Sequence, residues 1–419
     1  MTPTDARGLP LRTTPAAAAH YRAGVDAWLR VQDGFAESMA AALDEDPHFA
    51  LASSGLALDA AMRGAAEPAH RQLRSARLDV QAATDRERSH VAAIGARIQQ
   101  PLHAAVEEMV GHVRRHPRDA LAFSATMGAL LYSGLPGLPE RMAALCRESR
   151  AAYAADDWWW LGTEAFWAQE QGRYPESAVL AERALALDPR AGWAAHARAH
   201  VDDRTGAPIS GLVWLDGWLA GGPTTAVLAS HLHWHAALHE LATGNPAAAL
   251  LRFQKGIAPT ADDPRNAVID GASLLWRFTL RGVPLPETGT LPLLVEQVAA
   301  APAVAFAALH AGLALAAAGE SAALAALRAG VRRDARPAFA DVVAPVLAAL
   351  ADFTQGRYAA CAAALGSLDA DTLARLGGSR VQRDVLEQTR IVALLRAGDS
   401  SAARQAVADA IDPPGVRGG

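Results

Sequence analysis

Four histidines in the middle of the sequence have the spacing of a site that binds a ligand or a metal. His196 and His200 are four residues apart, and His231 and His235 repeat that spacing. Residues four apart on a helix lie on one face, with their side chains about 6 Å apart. Two such pairs on neighbouring helices would bring four imidazoles together, a set of ligands that suits zinc, nickel or copper.

Three interpretations of these histidines stay open at this point. They line a groove or pack inside the protein, they contact a ligand or substrate, or they bind a metal ion. Beside a carboxylate such as Asp203 or Glu240, a neutral imidazole also suits general acid–base chemistry, because it titrates near neutral pH. His233 and His239 fall on other helix faces and are predicted to be partly exposed. No cofactor is required by the sequence, although a divalent metal is compatible with it.

Tryptophan is concentrated in the same part of the chain, with eight of the ten tryptophans between residues 158 and 234. Packing between helices explains at least half of them, because tryptophan buries a large apolar area. Trp167, Trp193 and Trp234 are the candidates for an aromatic pocket wall, which would favour a flat or apolar ligand. Glu164, on the same predicted helix as Trp167, is a candidate acid directed into that pocket.

Two later segments add polar candidates. Asp270, Ser273 and Arg277 form a polar stripe along an apolar helix, and we interpret them either as structural or as one wall of a site. Further on, Ser379 follows a glycine turn and Gln382 stands three residues later, a pattern typical of a capping box at a helix start. Backbone N–H groups at such a start can also bind an anion; capping is the default interpretation.

The elements that position these residues are predicted to be helices in a repeat. Asp46-Pro47, His116-Pro117 and Asp188-Pro189 each close a helical stretch, at separations of 70 and 72 residues, or twice a unit of 35 or 36. Five glycine turns follow spacings of 72, 75, 37 and 42 residues, at Gly172, Gly244, Gly319, Gly356 and Gly398. These units are slightly longer than the 34 residues of a tetratricopeptide repeat.

The sequence therefore predicts an all-α, tetratricopeptide-like α-solenoid, a right-handed superhelix of helical hairpins. A single hairpin cannot bury its own apolar face, so it becomes stable only by stacking on its neighbours. The alternative is an irregular helical bundle with glycine and proline at ordinary helix boundaries. One continuous array is expected, with a capping segment at 1–34, repeats at 35–376, and a helical cap with a frayed tail at 377–419.

Three segments break the predicted rhythm. Residues 132–139 and 282–292 are expected to be loops, and residues 205–225 an irregular stretch with a short helix around Trp214 and Trp218. Glycine and proline in all three are the basis of this prediction.

Composition limits the classes of function. The 419 residues carry a net charge of −5, which gives no electrostatic case for nucleic acid. Alanine, leucine and arginine dominate, which favours helix. No apolar run reaches membrane-spanning length, and the first twelve residues lack the apolar core of a signal peptide, so a soluble, cytoplasmic protein without a membrane partner is predicted. Cys146 and Cys361 are predicted to be reduced, buried thiols.

Six segments of the chain resemble the tetratricopeptide repeat protein 38 family of bacteria and animals. They are residues 86–90, 116–119, 193–200, 231–238, 270–277 and 377–384, and the last is the most specific. The resemblance covers most of the chain, from Leu9 to about Arg404. It implies a superhelix whose concave face gathers polar residues from distant repeats. By position these residues are His196, His200, His231, His235, Asp270, Arg277, His310, Gln382, Arg383 and Asp384.

The chain also departs from the pattern of this family. Members tend to have His-Asp where this chain has Met127-Gly128, His-Glu where it has Asp202-Asp203, and Asp where it has Ala308. These three differences remove polar groups that a shared chemistry would use.

Two functions are compared. A peptide groove in a tetratricopeptide array is typically lined by Asn, Lys and Arg, whereas Lys255 is the only lysine here. The sequence therefore favours a pocket rich in histidine and tryptophan that binds a small molecule. If it also transforms that molecule, acid–base or hydrolytic chemistry is expected, with His231 or His235 as base and Arg277 or Arg383 holding an anionic group. The alternative is a scaffold that binds a protein or peptide without catalysis.

Overall fold

The chain is all-helical in the computed structural model, which describes residues 2–80, 83–221, 225–258 and 267–411. Helix accounts for 76% of the residues, and these ranges contain no β-strand, only an isolated bridge between Thr4 and Pro10. The predicted tail from Asp412 onward and the glycine-proline turn at 222–223 lie outside the described ranges.

Twenty-three α-helices occur within those ranges. In chain order they are α1 Pro15–Arg30, α2 Phe35–Glu45, α3 Ala50–Met62, α4 Ala66–Asp79, α5 Asp85–Gln99, α6 Leu102–Arg115, α7 Ala120–Leu131, α8 Leu138–Ser149, α9 Trp158–Glu170, α10 Tyr174–Leu187, α11 Gly192–Arg204, α12 Pro208–Ala220, α13 Ala226–Ala242, α14 Pro246–Arg252, α15 Ala272–Arg281, α16 Leu291–Ala300, α17 Ala305–Ala317, α18 Ser321–Val331, α19 Ala344–Thr354, α20 Tyr358–Gly366, α21 Ala370–Ala374, α22 Arg380–Arg396 and α23 Ser400–Ile411. Short π-helical turns continue α14 and precede α15 and α19.

The predicted proline and glycine signals fall at helix boundaries. Helices α2, α6 and α10 each end at the residue before the predicted stop. Each of the five glycines has a positive φ, between 74° and 85°, and the next helix begins two residues later. Glycine adopts this left-handed conformation without the steric cost of a Cβ atom. The glycines therefore end one helix and let the chain turn back into the next.

The predicted irregular stretch at 205–225 is more regular than expected. Helix α12 fills Pro208–Ala220 and is as long as α11. Gly206 has a φ of 72° and precedes the new helix by two residues, as the five predicted glycines do. Pro208 starts the helix, where its fixed φ is favourable and its missing N–H costs nothing. The loops predicted around residues 132–139 and 282–292 are present, between α7 and α8 and between α15 and α16.

The helices pack in neighbouring pairs whose members differ in burial. Helix α17 is buried at most positions from Ala305 to Ala316. Its neighbour α18 buries one stripe, made of Leu324, Leu327 and Val331, which is typical of a helix with one face on water. Helices α3, α7, α9 and α11 are buried like α17, and α4 and α10 resemble α18. Helices α13 and α15 are also mostly buried, so most polar residues of α3, α7, α9, α11, α13, α15 and α17, the inner helices, lie inside the protein.

Contacts between distant parts of the chain close this array around its interior. Helix α1 packs against α7 and α11, and Arg30 Nε donates to Asp188 Oδ2 at 2.5 Å. Helix α22 packs against α15. Arg375 Nε donates to the carbonyl of Gly134 at 3.1 Å, across 241 residues of sequence. The inner helices are thus covered by both the beginning and the end of the chain.

Two further predictions concern the core and the membrane. Cys146 and Cys361 are both unpaired and buried, as predicted, and burial raises the pKa of both thiols. Among the helices within the described ranges, none combines the length and the apolar character needed to cross a bilayer.

The contact of α1 with α11 predicts a position-specific effect of added volume. A Cβ atom at Gly192 would overlap the carbonyl oxygen of Arg30 and the side chain of Leu228, and a backbone carbonyl cannot rotate away. Gly192→Ala is therefore expected to lower the free energy of unfolding by about 1–3 kcal/mol. Gly217 in helix α12 is the control, because a Cβ atom added there would meet no other atom. Gly217→Ala is therefore expected to leave the free energy of unfolding unchanged or to raise it by up to about 1 kcal/mol. Urea unfolding of both variants tests this prediction. Equal changes in the free energy of unfolding would contradict the close packing of α1 on α11.

Candidate ligand site

The four predicted histidines meet between α11 and α13. One ring nitrogen of each lies within 4.8 Å of the corresponding nitrogens of the other three. His196 Nε2 is 2.8 Å from His200 Nε2 and 2.9 Å from His231 Nε2. The ring centroids of His200 and His235 are 4.6 Å apart. We call these four residues the histidine cluster.

The histidine cluster is withdrawn from water. His200 and His235 are fully buried, and His196 is nearly so, whereas the side chain of His231 is 13% exposed. Burial, and then the positive charge of neighbouring groups, lowers the pKa of His196, His200 and His235 well below the usual value. These rings are therefore neutral at neutral pH, and each neutral imidazole carries one nitrogen lone pair.

One carboxylate contacts the cluster. Asp270 is buried, and its Oδ1 lies 3.0 Å from His231 Nδ1. Because Nδ1 faces the carboxylate, Nε2 is the nitrogen of His231 that faces the other histidines and can offer them a lone pair. The carboxylates that the sequence suggested have other partners. Glu240 accepts hydrogen bonds of 2.9 and 2.7 Å from Arg252, and Asp203 lies in the charged pocket described below.

Aromatic rings surround the histidine cluster. Trp234 is fully buried and stacks on His231, with centroids 5.3 Å apart and an interplanar angle of 11°. Trp193 lies 5.7 Å from His196. Phe166, which the sequence did not single out, lies 5.4 Å from His196, and its neighbour Trp167 contacts Phe166 rather than a histidine of the cluster. The only signal for Phe166 in the sequence was its position on α9 together with four tryptophans.

Other candidates of the same region pack elsewhere. Trp160 stacks on Tyr153 at 4.2 Å, and Trp218 Nε1 donates to the carbonyl of Pro189 at 3.0 Å. Glu164 forms an ion pair of 2.9 Å with Arg150, and burial raises the pKa of its carboxyl. These contacts hold helices in place and give Glu164 a partner away from the histidine cluster.

One of the two outlying histidines is more buried than predicted. His233 is half-buried and lies 3.3 Å from Arg252 Nη1. His239, predicted to be partly exposed, is 1% exposed. Helix α12 covers it so closely that a Cβ atom on Gly211 would lie 2.9 Å from His239 Nε2. The prediction was wrong because His239, four residues after His235, lies on the same buried face of α13 and not on another face.

A pocket lies about one turn beyond the histidine cluster on the same inner helices. It has a volume of about 100 Å³ and is lined by Asp203, Leu238, Leu241, Ala242, Arg277, Arg281, Val381, Asp384 and Gln388. Asp203 follows His200 by three residues, and Leu238 follows His235 by three, so cluster and pocket share helix faces. We call it the charged pocket. A second pocket, near Asp5 and Arg7, lies at the other end of the array.

Arg277 is a buried cation in the wall of the charged pocket. Its guanidinium donates to Ser273 and, at 3.3 Å, to the carbonyl of Val381, and it lies 5.3 Å from the Trp234 ring. Its Nε has no hydrogen-bond partner, and no ion pair of the described residues includes it. Burial lowers its pKa to about 10. The group therefore stays charged at neutral pH.

The carboxylates of the charged pocket differ in their partners. Asp384 forms an ion pair with Arg204, a residue that the sequence did not single out. For Asp203, burial and then the charge of Asp384 raise the pKa to about 6. Asp203 consequently changes protonation state close to neutral pH, and Arg277 faces one carboxylate that is already paired and one that is readily neutralised.

The C-terminal candidates build the start of α22. Ser379 Oγ accepts a hydrogen bond from Gln382 N at 3.2 Å, and Gln382 Oε1 accepts one from Ser379 N at 2.9 Å, so the predicted capping box is confirmed. An anion already occupies this helix start, because the Glu170 carboxylate accepts from Arg380 N at 3.1 Å. Arg383 donates to the carbonyls of the preceding glycine turn and lies 3.7 Å from Glu170.

His310 is buried near the same interior. Its Nδ1 donates to the carbonyl of Phe306 at 2.8 Å, and its Nε2 has no partner. Burial lowers its pKa to about 4, while Asp270 raises the pKa and Arg277 lowers it by smaller amounts. His310 therefore lies within electrostatic reach of both groups that border the histidine cluster and the charged pocket.

A second polar cluster lies in the N-terminal half, where two of the segments that carry the family resemblance meet. Asp119 Oδ2 accepts from Arg86 Nη1 at 3.0 Å and lies 3.0 Å from His90 Nδ1 and 3.5 Å from His112 Nε2. All four residues are buried. Although burial raises the pKa of Asp119, the histidines and Arg86 lower it well below its usual value. This carboxylate is therefore charged and fully used by its own neighbours.

Known protein families do not extend this picture, since no family model matches the chain.

The Asp119 contacts predict a large stability effect. Asp119→Asn removes the charge that compensates buried Arg86, and a broken buried pair is expected to cost about 3–5 kcal/mol of unfolding free energy. Glu148→Gln breaks the exposed pair with Arg114 and is the matched control, with an expected effect below about 1 kcal/mol. Chemical denaturation of both variants measures this, and equal losses would contradict a buried role for Asp119.

The pKa of His310 predicts a pH-dependent loss of stability. The folded protein keeps this ring neutral down to about pH 4, whereas the unfolded chain binds a proton near pH 6.5, so stability falls as the pH drops through this window. Between pH 7 and pH 5 this single group accounts for about 2 kcal/mol. His310→Gln should lose that much less stability than the wild type over the same interval, because all other groups cancel in the comparison. Urea unfolding at both pH values tests it, with the exposed His20→Gln as control; an unchanged loss would rule the assignment out.

Proposed function

We propose that this protein is a tetratricopeptide-like solenoid, related to the tetratricopeptide repeat protein 38 family, whose interior binds a small molecule with an anionic group. The observation that carries the proposal is Arg277, a buried guanidinium in the wall of the charged pocket that forms no ion pair among the described residues and is only partly compensated by Asp384 and Asp203 at longer range. The volume of the charged pocket, about 100 Å³, restricts the ligand to a small molecule.

The energetics of Arg277 favour a ligand over a structural role. A buried charge without a counterion lowers the stability of a folded protein. Such a group persists where something else compensates it, and a ligand carboxylate or phosphate can accept two parallel hydrogen bonds from a guanidinium. On the opposite side, Asp203 and Asp384 can accept hydrogen bonds from a hydroxyl or ammonium group. The expected ligand is therefore a small polar molecule with an anionic end.

The alternative function, a scaffold for peptides, finds less support in the contacts of the inner face. An extended peptide needs an open groove along several repeats. Here α1 packs on α7 and α11, the Glu170 carboxylate binds the start of α22, and Asp384 of α22 pairs with Arg204. These contacts cover the surface along which a peptide would lie and leave a pocket in its place.

Arg277→Gln separates stability from binding and tests the proposal. Without ligand, this variant should be as stable as the wild type or more stable, because a buried unpaired charge is removed. Inorganic phosphate is the probe, with chloride at equal ionic strength as reference. Phosphate should raise the midpoint of thermal unfolding of the wild type and of Arg404→Gln, an exposed control on α23. The same addition should leave Arg277→Gln unchanged.

Two results would reject the anion site. One is an equal response to phosphate in the wild type and in Arg277→Gln. The other is a loss of stability in Arg277→Gln comparable to that of a broken buried pair, which would make Arg277 a structural residue. Mass spectrometry of the small molecules released by denaturing the purified protein then identifies the natural ligand, and a co-purifying peptide in place of a small molecule would favour the scaffold function.

A further inference from the structure

The nitrogen atoms of the histidine cluster are arranged as a ligand set rather than as a hydrogen-bond network. His196 Nε2 lies within 3 Å of two other ring nitrogens, those of His200 and His231. A neutral imidazole nitrogen carries either one hydrogen or one lone pair, so it cannot form two ordinary N–H···N bonds at once. At least one of these two short contacts is therefore not a hydrogen bond.

Several other nitrogens of the same cluster have no partner at all. They are Nδ1 of His196, Nδ1 of His200 and both ring nitrogens of His235, all of them buried. Buried polar atoms are nearly always hydrogen-bonded, and each exception destabilises the folded state. Such a concentration of unpaired, converging nitrogens in one place indicates that a group outside the polypeptide completes the site.

We propose that His196, His200, His231 and His235 bind one divalent transition-metal ion of the zinc, copper or nickel class. Four nitrogens around a tetrahedral ion with bonds of 2.0–2.1 Å would lie about 3.3 Å from one another. The cluster nitrogens bracket this value, at 2.8 and 2.9 Å for two pairs and within 4.8 Å for all. Modest movements of the side chains are therefore sufficient. Imidazole nitrogen is a favoured ligand of these ions.

Asp270 is assigned as a positioning residue for this ion. Its carboxylate accepts a hydrogen bond from His231 Nδ1, which directs Nε2 to the centre of the cluster, and a buried carboxylate at this place offsets part of the charge of the ion. Carboxylates in this outer position typically change metal affinity by about 10- to 100-fold. His231 is also the most exposed residue of the cluster, so it marks the side from which an ion would enter.

The second group of buried ligand-type residues supplies the contrast. His90, His112 and Asp119 also bring their ligand atoms within 4.8 Å of one another. There, however, Arg86 donates to the Asp119 oxygen that both histidines approach. The guanidinium of Arg86 next to that oxygen would repel a divalent cation, and it already compensates the negative charge of the carboxylate. The histidine cluster lacks such a contact within the described residues, so the metal is expected there.

The proposal is tested by titrating the whole 419-residue chain with Zn²⁺ in a calorimeter, after a chelator has removed bound metals. The titration measures the number of zinc ions bound and their affinity. The wild type should bind one equivalent of Zn²⁺. His235→Gln should weaken binding at least about tenfold, and Asp270→Asn should weaken it while one equivalent is retained. His239→Gln is the matched control, since His239 lies one turn further along α13, is equally buried and also has two unpaired ring nitrogens. It should bind zinc as the wild type does.

Two further measurements keep the outcome decisive. Co²⁺ in the wild type should give the intense visible absorption of a four-coordinate site, and His112→Gln should leave it unchanged. Circular dichroism of the metal-free variants controls for folding; if His235→Gln does not fold, the less buried His231→Gln takes its place. The proposal is overturned if the wild type binds no zinc, if His239→Gln and His235→Gln weaken binding equally, or if only His112→Gln abolishes it. Arg277→Gln should still bind zinc, so this result stands apart from that of the anion site.

Discussion

Burial of the inner helices on most of their faces is the constraint on which this structure depends. Helices α3, α7, α9, α11, α15 and α17 are buried at most positions, so most polar side chains on them have little access to water. Such a side chain must find a partner inside the protein, or leave one atom unsatisfied at a cost in stability. The two polar clusters of the interior meet this requirement in opposite ways.

Around Asp119 the requirement is met within the chain. One carboxylate receives a guanidinium and lies beside two imidazoles, and the same residue caps α7 through its other oxygen. The charges balance locally, so this cluster joins the N-terminal segment, α5 and α7. Around the histidine cluster, four imidazoles meet a single carboxylate, and one turn away Arg277 carries a positive charge that forms no ion pair among the described residues. An excess of basic groups in a buried region is typical of a binding site and not of a purely structural contact.

Local signals made the secondary structure predictable. Glycine at a left-handed turn and proline at a helix end act through the conformation of their own residues, so five glycines and three prolines gave boundaries that the structure matches. The i, i+4 spacing likewise placed each histidine pair on one face, and the capping box at Ser379 followed from two residues three apart. Pro208 shows the limit of this reasoning, because proline both ends helices and starts them, and only the surroundings distinguish the two.

The partners of the candidate residues could not be predicted in the same way, because they come from helices far apart in sequence. Glu164 and Glu240 were plausible neighbours of the histidines, but each is bound by an arginine that no periodic pattern identifies. Asp270 and Asp384 were recognised as polar, yet the pairs with His231 and Arg204 depend on how α11, α13 and α22 approach one another.

The adjacency of cluster and pocket has a physical consequence for binding. Trp234 stacks on His231 and also lies 5.3 Å from the guanidinium of Arg277. A positive ion at the histidines and an anion at Arg277 would therefore both lie near one fully buried aromatic ring. In so dry an interior opposite charges placed in this way attract each other strongly, so occupation of one place should favour occupation of the other. By linkage, that coupling must act equally in both directions.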